Sequence, residues 1–168
     1  MSPGLRNLTL AVHLTFSVGW VGAVAAYLAL DITTATSGDA ETLRAAYIAM
    51  DVTARYVILP LAVGSLVTGV VVSLGTKWGL FRHYWVVISL VLTTIATVVL
   101  LIELGTIRSL AAVASDSTGS VLRDLPSTLI HSVGGMGVLL VILVLNIYKP
   151  AGLTAYGERK REHATRMV

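Results

Sequence analysis

The stretch WVVISLVLTTIATVVLLI, residues 85–102, contains no charged side chain and decides the fold class. An α-helix rises about 1.5 Å per residue, so a run of this length crosses most of a hydrocarbon core of about 30 Å. The run lacks the alternation of polar and apolar residues that marks strands of a membrane barrel. Because backbone groups in lipid must be paired within the segment, the predicted structure is a transmembrane helix.

Three further apolar runs flank this one, and they predict four spans in all. The predicted spans are residues 8–30, 55–75, 84–103 and 127–148, followed by a cytoplasmic tail at 149–168. Only 12% of the residues are charged, about half the fraction usual in soluble domains. The sequence therefore predicts an all-α membrane protein, a single domain built as an antiparallel bundle of four transmembrane helices.

Basic residues are sorted by the side of the membrane on which the connecting segments lie. The N-terminus, the turn between spans two and three and the tail carry Arg6, Lys77, Arg82, Lys149, Arg159, Lys160, Arg161 and Arg166. The segments on the other side carry four arginines and most of the acidic residues. The positive-inside rule then predicts that both termini are cytoplasmic and that the outer face is acidic. Topology accounts for the positive net charge, so no nucleic-acid partner is expected.

The first span carries one face of polar and amphipathic side chains. Along it, His13, Ser17, Trp20, Val24, Tyr27 and Asp31 recur at spacings of four and three. Residues at this spacing share a face, which we expect to look into the bundle. Small residues on the spans, among them Gly19, Gly22, Gly64, Gly69, Gly134, Gly135 and Gly137, predict close helix packing or room for a flat cofactor.

The second span places a carboxylate and a guanidinium one turn apart near the predicted outer interface. We expect residues 42–56 to form a helix continuous with this span, and Pro60 to kink that helix without breaking it. Asp51 and Arg55 can form an ion pair within the helix. Alternatively, Asp51 and Arg55 form an outward-facing ligand pocket with the two residues Glu103 and His131. The connection 105–124 is expected to carry an amphipathic segment, IRSLAAVAS, lying on the outer surface.

Histidines at matching depth predict a cofactor site. His13 and His83 both lie near the cytoplasmic boundary, whereas His131 enters from the opposite side, about 20 Å away along the membrane normal. Only His13 and His83 can therefore supply the axial pair of a b-type haem, with a solvated His83 as the ordinary alternative. Cysteine chemistry is excluded because the chain has no cysteine, and no enzyme motif occurs.

Two quoted segments carry a family resemblance. VHLTFSVGWVGAVAAYLAL (12–30) and PLAVGSLVTGVVVSLGTKWGLFRHYWVVISLVLT (60–93) resemble a family of small bacterial four-helix integral membrane proteins of unknown function. The resemblance covers about residues 8–150. In its histidine and Trp-x-Gly pattern alone, the first segment is distantly similar to the membrane domain of copper-resistance protein D. The resemblance implies a multi-pass protein of the bacterial plasma membrane, that is, the inner membrane.

Three functions remain open at this point. The first is a b-type haem protein that exchanges electrons with quinone or a membrane redox partner, using His13 and His83. The second is a small-ligand binding or transport module with the pocket of Asp51, Arg55, Glu103 and His131. The third is a non-catalytic accessory subunit. Membrane lipids are expected partners in each case, while enzyme activity and oligomeric state stay undecided.

Overall fold

The computed structural model describes residues 2–76, 78–117 and 119–166, and most of this chain is helical. In chain order the elements are α1 (Pro3–Thr36), α2 (Ala40–Thr53), a π-helical turn (Ala54–Ile58), α3 (Leu59–Gly75), α4 (Tyr84–Asp116), α5 (Gly119–Arg123), α6 (Leu129–Tyr148) and α7 (Ala155–Arg166). No strand occurs among these described residues, and an isolated antiparallel bridge joins His83 to Leu153.

Four stretches of helix are long and apolar enough to cross a membrane. They are Pro3–Thr36, Ala40–Gly75, Tyr84–Asp116 and Leu129–Tyr148. The prediction of an all-α membrane bundle is therefore confirmed. The first three are longer than predicted, and a helix of 33 residues such as α4 extends about 50 Å. Because the hydrocarbon core is about 30 Å thick, these helices also build structure beyond the membrane.

Contacts between α1 and α3 show how the spans are arranged. His13 contacts Thr68 and Ser17 contacts Ser65, so the residue numbers run in opposite directions and the two helices are antiparallel. We call the end of the bundle that holds the start of α1, the α3–α4 turn and α7 the basic end. The opposite end, which holds the α1–α2 turn and the connection from α4 to α6, is called the acidic end.

Glycines allow close approach in the α1–α3 interface. A Cβ atom on Gly64 would lie 2.5 Å from the ring of Phe16, and one on Gly69 would lie 3.1 Å from Cε1 of His13. The predicted close packing is confirmed at these two positions. It is wrong for Gly22 and for the three glycines of α6, Gly134, Gly135 and Gly137, since an added Cβ at each would meet nothing within 4 Å.

The second span continues through Pro60 without ending, as predicted, and the kink at this proline stays a prediction. The chain is helical from Ala40 to Gly75, and the turn before the proline, Ala54–Ile58, is π-helical. There the backbone N–H of Leu59 donates to the carbonyl of Ala54, five residues earlier. Proline cannot donate a backbone hydrogen bond and its ring crowds the preceding turn, so the wider turn accommodates it. Arg55 lies in this turn.

The acidic end contains most of the tightly buried apolar core. Leu43 and Met50 of α2 are almost fully buried, as are Ala114 of α4 and Leu122 of α5. The prediction that IRSLAAVAS lies on the outer membrane surface is wrong, because α4 continues through it to Asp116. Its apolar stripe, Ile107, Leu110, Ala111 and Ala114, is buried in the bundle, and α4 packs on α2. The apolar face of this segment, which was expected to contact lipid, therefore packs against other helices of the bundle.

An arginine of α2 fixes the end of α4. Arg44 donates from Nε to the carbonyl of Ala114 at 3.0 Å and from Nη2 to the carbonyl of Ser117 at 2.7 Å. The last carbonyls of a helix have no partner within the helix, and a guanidinium can supply two donors at once. This contact attaches α2 to α4 outside the predicted membrane core.

The predicted tail is described as far as residue 166, and its first part contacts the basic end. The backbone N–H of Thr154 donates to the carbonyl of Arg82, and its hydroxyl accepts from the N–H of Gly157 at the start of α7. A Cβ on Gly157 would overlap the carbonyl of Arg82, so only glycine permits this approach. The tail is thus attached to the α3–α4 turn at Thr154 and Gly157, and it forms a helix over Ala155–Arg166.

Candidate functional site

The predicted inward face of α1 is confirmed. Trp20, Val24, Tyr27 and Asp31 are buried, while His13 and Ser17 are half-buried and make hydrogen bonds to α3. The spacing of four and three therefore identified the face of α1 that meets the rest of the bundle. Its last member, Asp31, is the most enclosed charged side chain of the described chain.

Asp31 lies at the acidic end, between α1 and α6, with 0% of its surface exposed. Its Oδ2 accepts a hydrogen bond of 2.6 Å from the hydroxyl of Ser132 and one of 3.0 Å from the hydroxyl of Thr128. The hydroxyl of Thr34 lies 3.5 Å from Oδ1. We call Asp31, Thr34, Thr128 and Ser132 the Asp31 cluster.

Two tyrosines complete the surroundings of the Asp31 cluster. Tyr27 lies one turn before Asp31 on the same face of α1 and comes close to Thr128, and Tyr47 of α2 comes close to Thr34. Both tyrosines are buried. Within the described residues no ion pair includes Asp31. In this described part of the chain the carboxylate therefore has hydroxyl groups as partners and no cationic side chain.

The four residues of the predicted ligand pocket form two pairs. Nη2 of Arg55 lies 2.6 Å from Oδ1 of Asp51, which is the ion pair within one helix. Nε2 of His131 lies 3.8 Å from Oε1 of Glu103, a pair between α6 and α4. No ion pair in the described chain joins Arg55 to Glu103. Ligand binding by the four residues together stays a prediction.

The predicted haem ligands lie on different elements near the basic end. Nδ1 of His13 is 3.0 Å from the hydroxyl oxygen of Thr68, and that hydroxyl donates its proton to the carbonyl of Gly64. Nδ1 of His13 is therefore the donor to Thr68. His83 caps the start of α4, and its Nδ1 donates to the carbonyl of Trp78 at 2.8 Å. No hydrogen bond or ring contact in the described part of the chain joins the two imidazoles.

Both histidines are thus held in the same tautomer. With the proton on Nδ1, each Nε2 carries the lone pair that a metal would require. The described chain contains no group of three or more histidine, cysteine or acidic side chains placed to hold a metal ion. The haem pair His13 and His83 stays a prediction.

Sequence reasoning identified Asp31 as inward-facing but missed its partners. Thr128 and Ser132 are four positions apart and face one side of α6, and this i, i+4 pair of hydroxyls at the start of an apolar run is the signal that could have identified them. The distance along the chain, about a hundred residues, hid the contact.

Comparison with protein families, with curated proteins and with solved structures finds no match for this chain. The resemblance to small bacterial four-helix membrane proteins therefore stays a prediction. The fold defines the class of this protein, which is a small, multi-pass, all-α integral membrane protein.

Proposed function

We propose that the protein is a small-ligand binding module of the membrane whose site is the Asp31 cluster and whose ligand is a small monovalent cation. The observation that supports this most is Asp31 itself, a fully buried carboxylate that receives hydrogen bonds only from hydroxyl groups in the described chain. An ionised group inside a membrane protein is costly without an opposite charge, and such groups commonly mark ion or proton pathways.

The chemistry of the neighbours favours a cation over an anion. The hydroxyls of Thr128, Ser132 and Tyr27 each have acceptor lone pairs as well as a proton, so they can turn their oxygens toward a cation beside the Asp31 carboxylate. Oxygen atoms of this kind are the ligands that hard cations prefer. The single carboxylate supplies one negative charge, which suits a monovalent ion.

Access to the site is supported from the acidic end. The side chain of His131 is 59% exposed and lies beside Glu103, and Glu103 in turn lies near Tyr27. Toward the basic end, the next residues on the inward face of α1 are Val24 and Trp20, both buried in the apolar core. A ligand would therefore enter from the acidic end, which the positive-inside rule predicts to face outward, and would not pass through the bundle in this conformation.

Thermal unfolding in detergent tests the proposal. At constant ionic strength, sodium or potassium chloride should raise the unfolding midpoint of the wild type above its value in choline chloride, in a saturable manner. Asp31→Asn keeps the shape of the side chain and should abolish this rise, whereas Asp51→Asn, the matched change in the partly exposed ion pair with Arg55, should leave it. The same midpoint in all three salts for the wild type contradicts the proposal, and so does a rise that survives in Asp31→Asn.

Electron transfer by a b-type haem is the second candidate. It is favoured by the tautomer of His13 and His83, since a donated Nδ1 proton is the usual arrangement of a histidine that binds a metal through Nε2. The absorption spectrum of protein expressed with added haem tests it: a Soret band that His13→Ala and His83→Ala each remove supports this function, and a colourless wild type rules it out. An accessory role for the protein predicts neither the cation effect nor the spectrum.

A further inference from the structure

A second site lies at the basic end, where α7 folds back against the α3–α4 turn. The cleft between them has a volume of about 520 Å³. Its walls include Trp78, Arg82, Trp85, Lys149, Glu158 and Arg161. The three cationic side chains outnumber the single acidic one, so the cleft carries a net positive charge. It lies at the opposite end of the bundle from the Asp31 cluster.

Aromatic and cationic groups are placed together in this cleft. Nζ of Lys149 lies 5.5 Å from the ring centre of Trp78, and the rings of Trp78 and Trp85 meet edge to face with centres 5.5 Å apart. Lys149 is held in the left-handed conformation, with φ of 45°, directly after α6. This is an uncommon conformation for a residue with a side chain, and here it belongs to the residue that contributes a cation to the cleft.

Trp85 supplies an unused donor. The side chain lines the cleft and is only 7% exposed, and its indole N–H has no acceptor among the described residues. A buried donor without an acceptor is costly, and an oxygen atom that reached this N–H from the cleft, after a small shift of the side chain, would remove that cost. Cationic side chains and an unsatisfied N–H on residues that line one cleft are groups that can recognise a phosphate oxygen.

The surroundings indicate where such a phosphate would come from. Trp85 begins the third span, and the adjoining side chains of Tyr84, Tyr148 and Phe81 are exposed, as expected of aromatic groups at the level of lipid headgroups. Basic pockets between helices on the cytoplasmic side of membrane proteins bind lipid headgroups. We propose that this cleft binds the phosphate of an anionic membrane lipid, with Lys149, Arg161 and the indole N–H of Trp85 as the binding groups.

A binding titration of the full-length protein in neutral detergent tests this proposal. Short-chain phosphatidylglycerol should change the fluorescence of Trp78 and Trp85 saturably, and phosphatidylcholine of the same chain length should bind at least about fivefold more weakly. Lys149→Asn removes a charge with a residue that tolerates the left-handed conformation, and Arg161→Gln removes the second charge. Each should weaken phosphatidylglycerol binding about fivefold. Trp85→Phe keeps an aromatic ring without the N–H and should also weaken it.

Arg159→Gln is the matched control. It removes the same charge from the same helix at a position that does not line the cleft, so it should change the affinity less than twofold. An equal loss in Arg159→Gln and Arg161→Gln overturns the site in favour of a diffuse charge effect. Wild-type affinity in the double variant Lys149→Asn, Arg161→Gln, folded by gel filtration, overturns it as well. Inorganic phosphate that binds as tightly as the lipid overturns a lipid as the source of the phosphate.

Discussion

The guanidinium of Arg55 lies 2.6 Å from the carboxylate of Asp51, one helical turn earlier on the same continuous helix. The pair brackets the start of the π-helical turn that precedes Pro60. Arg55 therefore meets its counter-charge along its own helix, and Glu103 takes His131 as its partner across the bundle. Charge pairing at the acidic end is divided between two separate pairs.

This division predicts which charges are coupled. A double-mutant cycle of Asp51→Asn and Arg55→Gln should give a coupling free energy of about 0.3–1 kcal/mol, because both side chains are partly exposed and lie at i, i+4 spacing. The cycle of Glu103→Gln and Arg55→Gln serves as the control and should give a coupling near zero. Both cycles are measured by reversible unfolding in detergent, and a larger coupling between Arg55 and Glu103 would show that the guanidinium faces the bundle interior.

Ser132 should contribute to stability through its hydrogen bond to Asp31. Ser132→Ala removes a donor to a buried carboxylate, and we expect the free energy of unfolding to fall by about 1–2 kcal/mol. Ser109→Ala is the control, since the Ser109 hydroxyl is exposed and donates only to the carbonyl of Thr106 in its own helix. If the two alanine variants unfold at the same temperature, the Asp31 contact does not hold α6 to α1.

Gly64 should be intolerant of a side chain. In Gly64→Ala the added methyl group would overlap the ring of Phe16, and we expect a loss of about 1–3 kcal/mol in the free energy of unfolding. Gly134→Ala, in the open part of α6, should not lower it, because the methyl group meets nothing and alanine is the better helix former by about 0.5–1 kcal/mol. Combining Gly64→Ala with Phe16→Ala should recover part of the loss, and a loss that persists unchanged would place its cause elsewhere.

The cap of α2 gives a pH dependence outside the membrane spans. The hydroxyl and then the backbone N–H of Thr42 donate to the carboxylate of Asp39, and these bonds lower the pKa of Asp39 below its ordinary value. A carboxyl whose pKa is lower in the folded state stabilises that state above its unfolded pKa, and this contribution is lost as the pH falls through the folded pKa. The contribution is therefore complete above about pH 4 and declines below it.

Asp39→Asn isolates this effect, because asparagine also caps helices but does not titrate in this range. The difference in unfolding midpoint between wild type and Asp39→Asn should be constant from pH 5 to 7 and should shrink below about pH 4. Melting curves of both proteins at matched ionic strength measure it. A difference that stays constant down to pH 3 would mean that the Asp39 carboxylate is not held by Thr42.

Hydropathy and helical spacing were sufficient to predict the four spans, the inward face of α1 and the pairing of Asp51 with Arg55. These features depend on residues within one helix, where geometry is fixed by 3.6 residues per turn. The continuation of α4 through Arg108 was missed because hydropathy indicates only which residues contact lipid. A helix that packs on α2 can continue beyond the membrane boundary. The contact of α7 with the α3–α4 turn was missed because it depends on a close approach at Gly157.

The partners of Asp31 were missed because their contact depends on how α6 is rotated about its axis. Thr128 and Ser132 share one side of α6, and their i, i+4 spacing indicates that side but not which helix it meets. The same holds for the cleft at the basic end, which forms between segments that hydropathy treats as a turn and a tail.

The contact between Asp31 and Ser132 also sets an order of events during biosynthesis. Ser132 leaves the ribosome 101 residues after Asp31, which at about 5–20 residues per second is a delay of about 5–20 s. Through that interval the first span is already made while the hydroxyls that satisfy its carboxylate do not yet exist. The interface between the first and the last span therefore forms at the end of translation. Until then, Asp31 must remain at the water interface or be shielded by the insertion machinery.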